Sequence, residues 1–288
     1  MSLGAAARAP SVRAGRGRRR LPLYLVLGLL LLGVLFPFYW IVVTSVKTMA
    51  QIQSLQNLAL PNPFTWENYR ELFGQTYYGA WFRNSALVAC GAGLLAIGIS
   101  ALAAYAIARL RFPGRTFLAS AVLVTYLVPP SLLFIPLYVL LNGMGLANSL
   151  WALVAAYPTF TVPFATWLLM GFLKSIPGEL EDAALVDGAN RLQAFRRVIL
   201  PLAAPGIVAA ALFSFTLAWN EFLYALIFVQ DVEKKTIPVG LSELMFGDIF
   251  LWGQLMAASI GATVPVILLY IYLHRYMVQG LTAGAVKG

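Results

Sequence analysis

The 288-residue sequence has one cysteine, Cys90, and one histidine, His274. A single cysteine excludes a disulfide framework and any cysteine-based metal site. Cys90 lies in an apolar run and reads as a small buried hydrophobe, and His274, beside Arg275, reads as interfacial. Charge is also scarce, at 11% of residues against 60% hydrophobic, with a mean hydropathy of +0.80. Soluble domains carry about a quarter charged residues, so the composition points to a polytopic membrane protein. No G-x-x-x-x-G-K-[ST] phosphate loop, H-E-x-x-H pair or G-x-S-x-G elbow is present. ATP binding through a phosphate loop and the common hydrolytic schemes therefore lack their parts.

Long apolar runs are abundant. A membrane-spanning helix needs about 20 predominantly apolar residues, and six stretches qualify: roughly 21–46, 84–108, 116–141, 149–173, 202–229 and 254–280. The first follows "RGRRR", but its apolar core is too long for a signal peptide and no small-residue cleavage site follows, so it is expected to remain as a span. Residues 1–20, rich in Arg, Ala and Gly, read as a disordered cytoplasmic arm. The basic residues set the orientation. With the N-terminus inside, 15 Lys and Arg fall on inner segments and five outside, which satisfies the positive-inside rule with both termini cytoplasmic. This asymmetry also accounts for a formal charge of +9 without recourse to nucleic acid. Trp66, Trp81 and Trp252 are expected in an outer interfacial belt.

Within the spans, Ala92, Ala96, Ser100, Ala104 and Ala108 repeat at every fourth position, a small-residue face against which another helix can pack closely. Pro129, Pro130 and Pro136 should break or kink the third span, either as a packing bend or as a bend lining a pathway. Glu221 is the one clear carboxylate within a span. It lies about 28 Å along the fifth helix, near its outer end, where a carboxylate is inexpensive. That position suits a structural role; alternatively, Asn220 and Glu221 could line the outer part of a path.

The most polar ordered-looking stretch runs from Glu179 to Pro201, ELEDAALVDGANRLQAFRRVILP. Pro177 suits a first helical turn, and Glu179, Glu181 and Asp182 fall where a helix N-terminus favours negative charge. Leu180, Ala183 and Ala184 share a side. The helix should end near Val186, because Gly188 can adopt the left-handed conformation. Asn190 and Gln193 have capping-box spacing for a second helix. Two capped helices at an angle, with small residues on one face, suit insertion into a partner's groove better than a plain connecting loop does.

The pattern EDAALVDGA…F…ILP resembles the E-A-A-x-x-D-G-A…I-x-L-P motif of ABC importer permeases, whose loop is the coupling helix for an ATPase subunit. AYAIARLRFPGR, PPSLLFIPLY, WNEFLYAL and the ending GLTAGAVKG are similar to the smaller permease of maltose/trehalose-type sugar importers. The resemblance implies an all-α, six-span type I ABC importer domain over 21–280, its coupling loop at 175–201, and a cytoplasmic tail at 281–288. It implies residence in a bacterial or archaeal cytoplasmic membrane, beside a homologous second permease, two ATPase subunits and an extracytoplasmic sugar-binding protein. ATP and magnesium would be held by the ATPases, with no cofactor and no catalytic residue in this chain. Glu181, Asp182, Ala183, Ala184, Asp187 and Gly188 would form the ATPase-coupling site, with Asp182 standing where the family has Glu. Pro130, Asn220 and Glu221 are candidates for the path. Phe246, Gly247, Asp248, Leu251 and Trp252 would contact the binding protein, and Thr282 and Lys287 the ATPases. The rival readings are the same machine for a polyol, glycerol phosphate or other sugar, and an ion-coupled carrier acting alone.

Overall fold

The computed structural model describes residues 21–54, 59–246 and 249–285. The expected arm at 1–20, the contact residues Gly247 and Asp248, and the tail residue Lys287 lie outside them. Among the described residues the fold is helical apart from one short hairpin.

Helix α1 (Leu21–Ser45) is apolar around its whole circumference and almost fully exposed, which suits lipid rather than water. Two short helices, α2 (Met49–Ser54) and α3 (Glu67–Gln75), lead to α4 (Tyr78–Arg109). At 32 residues, α4 is roughly 48 Å long, and it starts six residues before the apolar run at 84. Its small-residue face forms the seam of the bundle: Ala92, Ala96, Ser100 and Ala104 are all 0% exposed, packed towards the later helices at Pro158–Ser175 and Ala204–Trp219. Such close approach replaces bulk with backbone contact, as expected where apolar transfer does not drive helices together.

The third expected span divides in two, α5 (Arg115–Leu127) and α6 (Phe134–Gly143), joined through a 3-10 turn at Pro130–Leu132. Pro129 and Pro130 have no N–H to donate and restrict the residues before them, so the helix stops at Leu127. Helix α7 (Leu150–Ala156), capped by Ser149 Oγ accepting from Trp151 N at 3.2 Å, meets α8 (Pro158–Ser175) at Tyr157. The polar loop supplies α9 (Glu179–Val186) and α10 (Arg191–Ala194). A π-turn at Phe195–Ile199 then leads through α11 (Leu200–Leu202) into α12 (Ala204–Trp219), with a 77° bend between 202 and 204. Pro201 and Pro205 bracket that bend.

The fifth expected span, 202–229, is interrupted as well: α12 stops at Trp219 and α13 (Leu223–Phe228) starts afresh after Asn220–Phe222. Beyond a 3-10 turn come α14 (Ile237–Ser242), the antiparallel strands β1 (Met245–Phe246) and β2 (Ile249–Phe250), and the long α15 (Trp252–Ala285). Four helices or helix stretches among the described residues are long and apolar enough to cross a bilayer, or five if the bent pair counts as one. Helices α5 and α6 are each too short to do so alone.

The buried side chains form two clusters. The larger surrounds Trp81, Leu153, Tyr157, Tyr224 and Phe228, at the end of the bundle that carries the hairpin. The smaller surrounds Tyr105, Leu169, Leu173, Phe195 and Ile199, at the end that carries α9.

Two expectations fail here. Trp81 is buried, not interfacial; its Nε1 donates to Val232 O at 2.7 Å, and Gly240 lies so close that an added Cβ would collide with the indole. Cys90 is exposed. It shares the side of α4 that carries Leu87 and Leu94, opposite the small-residue seam, and in a membrane helix the apolar outer face is not the buried one.

Candidate functional site

The loop between α8 and α12 is built from local signals. Helix α9 begins at Glu179 with Gly178 as N-cap; Gly178 O accepts from Glu181 N at 2.9 Å and Asp182 N at 3.1 Å. Pro177 stands just before the cap, two residues ahead of the first helical residue and so outside the first turn expected for it. The helix ends at Val186, and Gly188 takes φ +88°, with Ala189 N returning to Ala184 O at 3.0 Å. That left-handed residue and its returning bond close a helix at little cost when the residue is glycine. The second helix opens on a complete capping box: Gln193 N donates to Asn190 Oδ1, and Asn190 N donates to Gln193 Oε1, each at 2.9 Å.

What this corner presents outward is specific. Asp182, Ala183, Asp187 and Gly188 are exposed, while Ala184 is half-buried. Leu180 is 44%, Val186 87% and Leu192 59% exposed. Carboxylates thus alternate with uncovered apolar side chains at the tip of the bundle. Glu181 does the opposite of what its place in the motif suggests. It is buried, its Oε1 accepts from Tyr105 Oη at 2.6 Å, and its Oε2 lies 4.0 Å from Arg109 Nε. Helical geometry explains the split, because residues 181 and 182 point about 100° apart. One faces the spans and the other faces away.

The second constellation lies where three interrupted helices meet. Glu221 Oε1 accepts from Tyr224 N at 2.9 Å, and Oε2 accepts from Ala225 N at 3.1 Å and Tyr157 Oη at 2.9 Å. Its carboxylate therefore caps α13 and ties it to the α7–α8 junction. Tyr224 Oη in turn donates to Pro130 O at 2.8 Å, a carbonyl in the break between α5 and α6. Pro130, Asn220 and Glu221 line one cavity of about 570 Å³, together with Tyr126, Thr159 and Phe213. The volume lies within the range of ligand pockets, about 300–1,000 Å³, and the lining is apolar with few polar groups. Asn220 Nδ2 donates to Thr216 O at 2.8 Å, leaving its carbonyl oxygen for the cavity.

Opposite the α9 corner, the hairpin pairs Met245 with Phe250 and Phe246 with Ile249. Leu251 N donates to Leu244 O at 3.3 Å, and exposed Trp252 stacks on Phe250 with centroids 5.3 Å apart. Thr282 lies in the last turns of α15.

Sequence reasoning missed Tyr105, Arg109, Tyr157 and Tyr224 as partners of the two carboxylates. Arg109 counts in the sequence only as an inner-loop charge. The i, i+4 spacing of Tyr105 and Arg109 at a span end was the available signal.

Comparison with known proteins is consistent throughout. The family of binding-protein-dependent transport system inner membrane components matches residues 96–283. The trehalose/maltose transport system permease protein MalG of Thermococcus litoralis is 36% identical over 92% of this chain and 96% of its own length. The trehalose transport system permease protein SugB of Mycobacterium tuberculosis is 37% identical over 94% of this chain and 100% of its own. The inner membrane permease YcjP of Escherichia coli is 36% identical over 93% and 97%. Among solved structures, a bacterial ABC transporter involved in import of the acidic polysaccharide alginate superposes with TM-score 0.79 at 20% identity, covering 93% of this chain and 99% of that one.

Proposed function

The chain belongs to the binding-protein-dependent transport system inner membrane components, and from that premise we propose how it works as a permease subunit of an ABC sugar importer. It is a non-catalytic, multi-pass protein of the inner membrane. In the proposed reading it crosses the bilayer six times, with α5 and α6 together completing the third crossing and both termini inside. It forms half of the translocation path beside a homologous permease, and ATP and magnesium are bound by two ATPase subunits below.

The observation that carries this reading is the capped α9–α10 corner. Asp182, Ala183, Asp187 and Gly188 are exposed there, flanked by uncovered Leu180, Val186 and Leu192. An apolar and acidic tip of this kind suits a partner groove that buries the leucines and supplies cations. Closure of the ATPase dimer then moves α9, and the spans turn with it between inward and outward states. The cavity at Pro130, Asn220 and Glu221 is the stretch of path that this chain contributes. Glu221 has three of its acceptor positions occupied by protein donors, so its part is to hold the break in α12–α13 in place. The Phe246–Trp252 hairpin is the contact for the sugar-binding protein, and the tail from Thr282 to Gly288 reaches the ATPases.

The cargo we favour is a di- or oligosaccharide of the maltose/trehalose type, supported by the names of two relatives. Other relatives are named for diacetylchitobiose and sulfoquinovosyl glycerol. The test is ATP hydrolysis by the complete complex in vesicles, with trehalose, maltose and these two compounds supplied in turn with the binding protein. Stimulation by one of the disaccharides is expected. Uptake that persists without the ATPase subunits would sink the importer mechanism.

A further inference from the structure

We infer that Arg109 is a positioning residue that mounts α9 on the spans, so that displacement of α9 reaches α4 and α8 as one motion. The inference rests on the proposed role of α9 as the coupling element.

Arg109 is the last residue of α4 and joins it to two further elements, α8 and α9. Its Nη2 donates to Leu173 O at 2.7 Å and to Ile176 O at 2.5 Å, carbonyls at the end of α8. The last carbonyls of a helix lack intrahelical partners, and a planar guanidinium can serve two of them while facing a third group. That third group is Glu181 of α9, 4.0 Å from Nε. The side chains of Arg109 and Glu181 are only 12% and 8% exposed. Glu181 is also held by Tyr105, one turn back on α4, whose ring packs against Phe195 with centroids 4.7 Å apart. Gly178, the N-cap of α9, lies against the same guanidinium.

Stability alone does not explain this arrangement. Removing two charges from water costs more than their attraction usually returns, so a buried pair is a weak source of stability and a strong one of geometry. The apolar side chains of α9 give little alternative grip, since Leu180 and Val186 face outward. Arg109 Nε is buried without a hydrogen-bond partner, and 4.0 Å is too long for one. It is therefore a donor in reserve for a closer approach of Glu181 when α9 moves towards the spans.

Arg109→Lys keeps the charge but not the fork, and Glu181→Gln removes the charge while leaving both carbonyl bonds intact. The first readout is the distance distribution between spin labels on α9 and α4 of the full chain in lipid nanodiscs, placed by Glu179→Cys and Leu94→Cys in a Cys90→Ser background. A single narrow distribution is expected with both Arg109 and Glu181 in place, and a broadened or two-peaked one in either variant. An unchanged distribution overturns the inference; this readout needs no transported sugar, so it stands even if the cargo or the importer reading is wrong. The second readout is trehalose or maltose moved per ATP hydrolysed. It should fall by roughly tenfold in Arg109→Lys, the scale of one lost charge-assisted hydrogen bond, with hydrolysis itself maintained. The two substitutions combined should cost less than their sum; additive effects, or a ratio unaltered in both variants, argue against it. If Arg109→Lys fails to assemble, Glu181→Gln decides by the same two measurements.

Discussion

The two ends of the bundle spend their polar groups in opposite directions. At the hairpin end they point inward. Tyr78 Oη donates to Ala258 O at 2.8 Å, Trp81 Nε1 to Val232 O at 2.7 Å, and Asn84 Nδ2 to Glu233 O and Lys235 O at 2.9 and 3.0 Å. Ser85 Oγ accepts from Ile237 N at 2.8 Å, and Lys235 pairs with Glu243. The first turns of α4 thus staple the 230–243 segment down over the larger apolar cluster. At the α9 end the buried polar bonds are few and centred on Arg109, while Asp182, Asp187 and three large apolar side chains face out uncovered. At the first end the chain closes over its own apolar cluster, leaving Met245 and Trp252 at the hairpin uncovered. The other is left unfinished, as an element must be if its outer surface is to be completed by a partner.

The strongest way to break the comparison is to cut the staple. Trp81→Ala removes a fully buried indole that packs on Gly240 and donates to a loop carbonyl. Large aromatic truncations in packed cores cost about 3–5 kcal/mol, so the variant should show a much lower Tm in detergent. Release of residues 230–243 should appear as faster hydrogen exchange there, with protection at 179–199 unchanged. If both ends lose protection together, they are one cooperative unit and the contrast drawn above is wrong.

A smaller effect is expected at Glu221, in the break between α12 and α13 beside the larger cluster. Glu221→Ala leaves Tyr157 Oη and the N–H groups of Tyr224 and Ala225 without their acceptor. Each such group costs about 1–3 kcal/mol when buried and unsatisfied, less what water can recover through the cavity. Glu221→Gln keeps an acceptor and should retain most of the stability. Uptake by the assembled complex should fall further in the alanine variant than in the glutamine variant. Equal losses in the two would mean that charge, not the capping geometry, is what matters at this position.

Legibility in the sequence followed the range of the interaction. The corner at Glu179–Pro201 was readable because its determinants are local: a glycine for a positive φ, an Asn-x-x-Gln box, acids in a first turn. The break at Pro129–Pro130 was readable for the same reason, though its consequence, two short helices in place of one span, was not. The interruption at Asn220–Phe222 carries no proline or glycine. It exists because a carboxylate finds donors on Tyr157, 64 positions away in sequence, as well as on the next helix. Periodicity cannot register such a contact. The burial of Trp81 and the exposure of Cys90 were misjudged for a related reason: in a membrane bundle hydrophobicity does not report which face is inside.

The smallest effect on the fold, and the sharpest on the comparison, belongs to Asp182. It is adjacent to Glu181 but exposed, and its carboxylate makes no hydrogen bond or ion pair among the described residues. Asp182→Asn should therefore shift stability by less than about 0.5 kcal/mol, the usual range for a surface change. Its effect should appear only on association with the ATPase subunits. Truncating one member of a charge pair buried on docking costs about 2–5 kcal/mol, whereas a rim charge alters mainly the on-rate and its salt dependence. Association measured across a salt series distinguishes the two: weakening by more than about tenfold at every ionic strength places Asp182 inside the contact, and weakening confined to low salt places it at the edge. Asp182→Glu adds one methylene and restores the acid seen in the resembling motif. If the partner groove is built for the shorter side chain, that variant should bind less well than the unmodified chain despite its unaltered charge. Equal binding by both acids would show that charge alone is read at this position, and that the geometry of the contact is set by Ala183, Gly188 and the leucines around them.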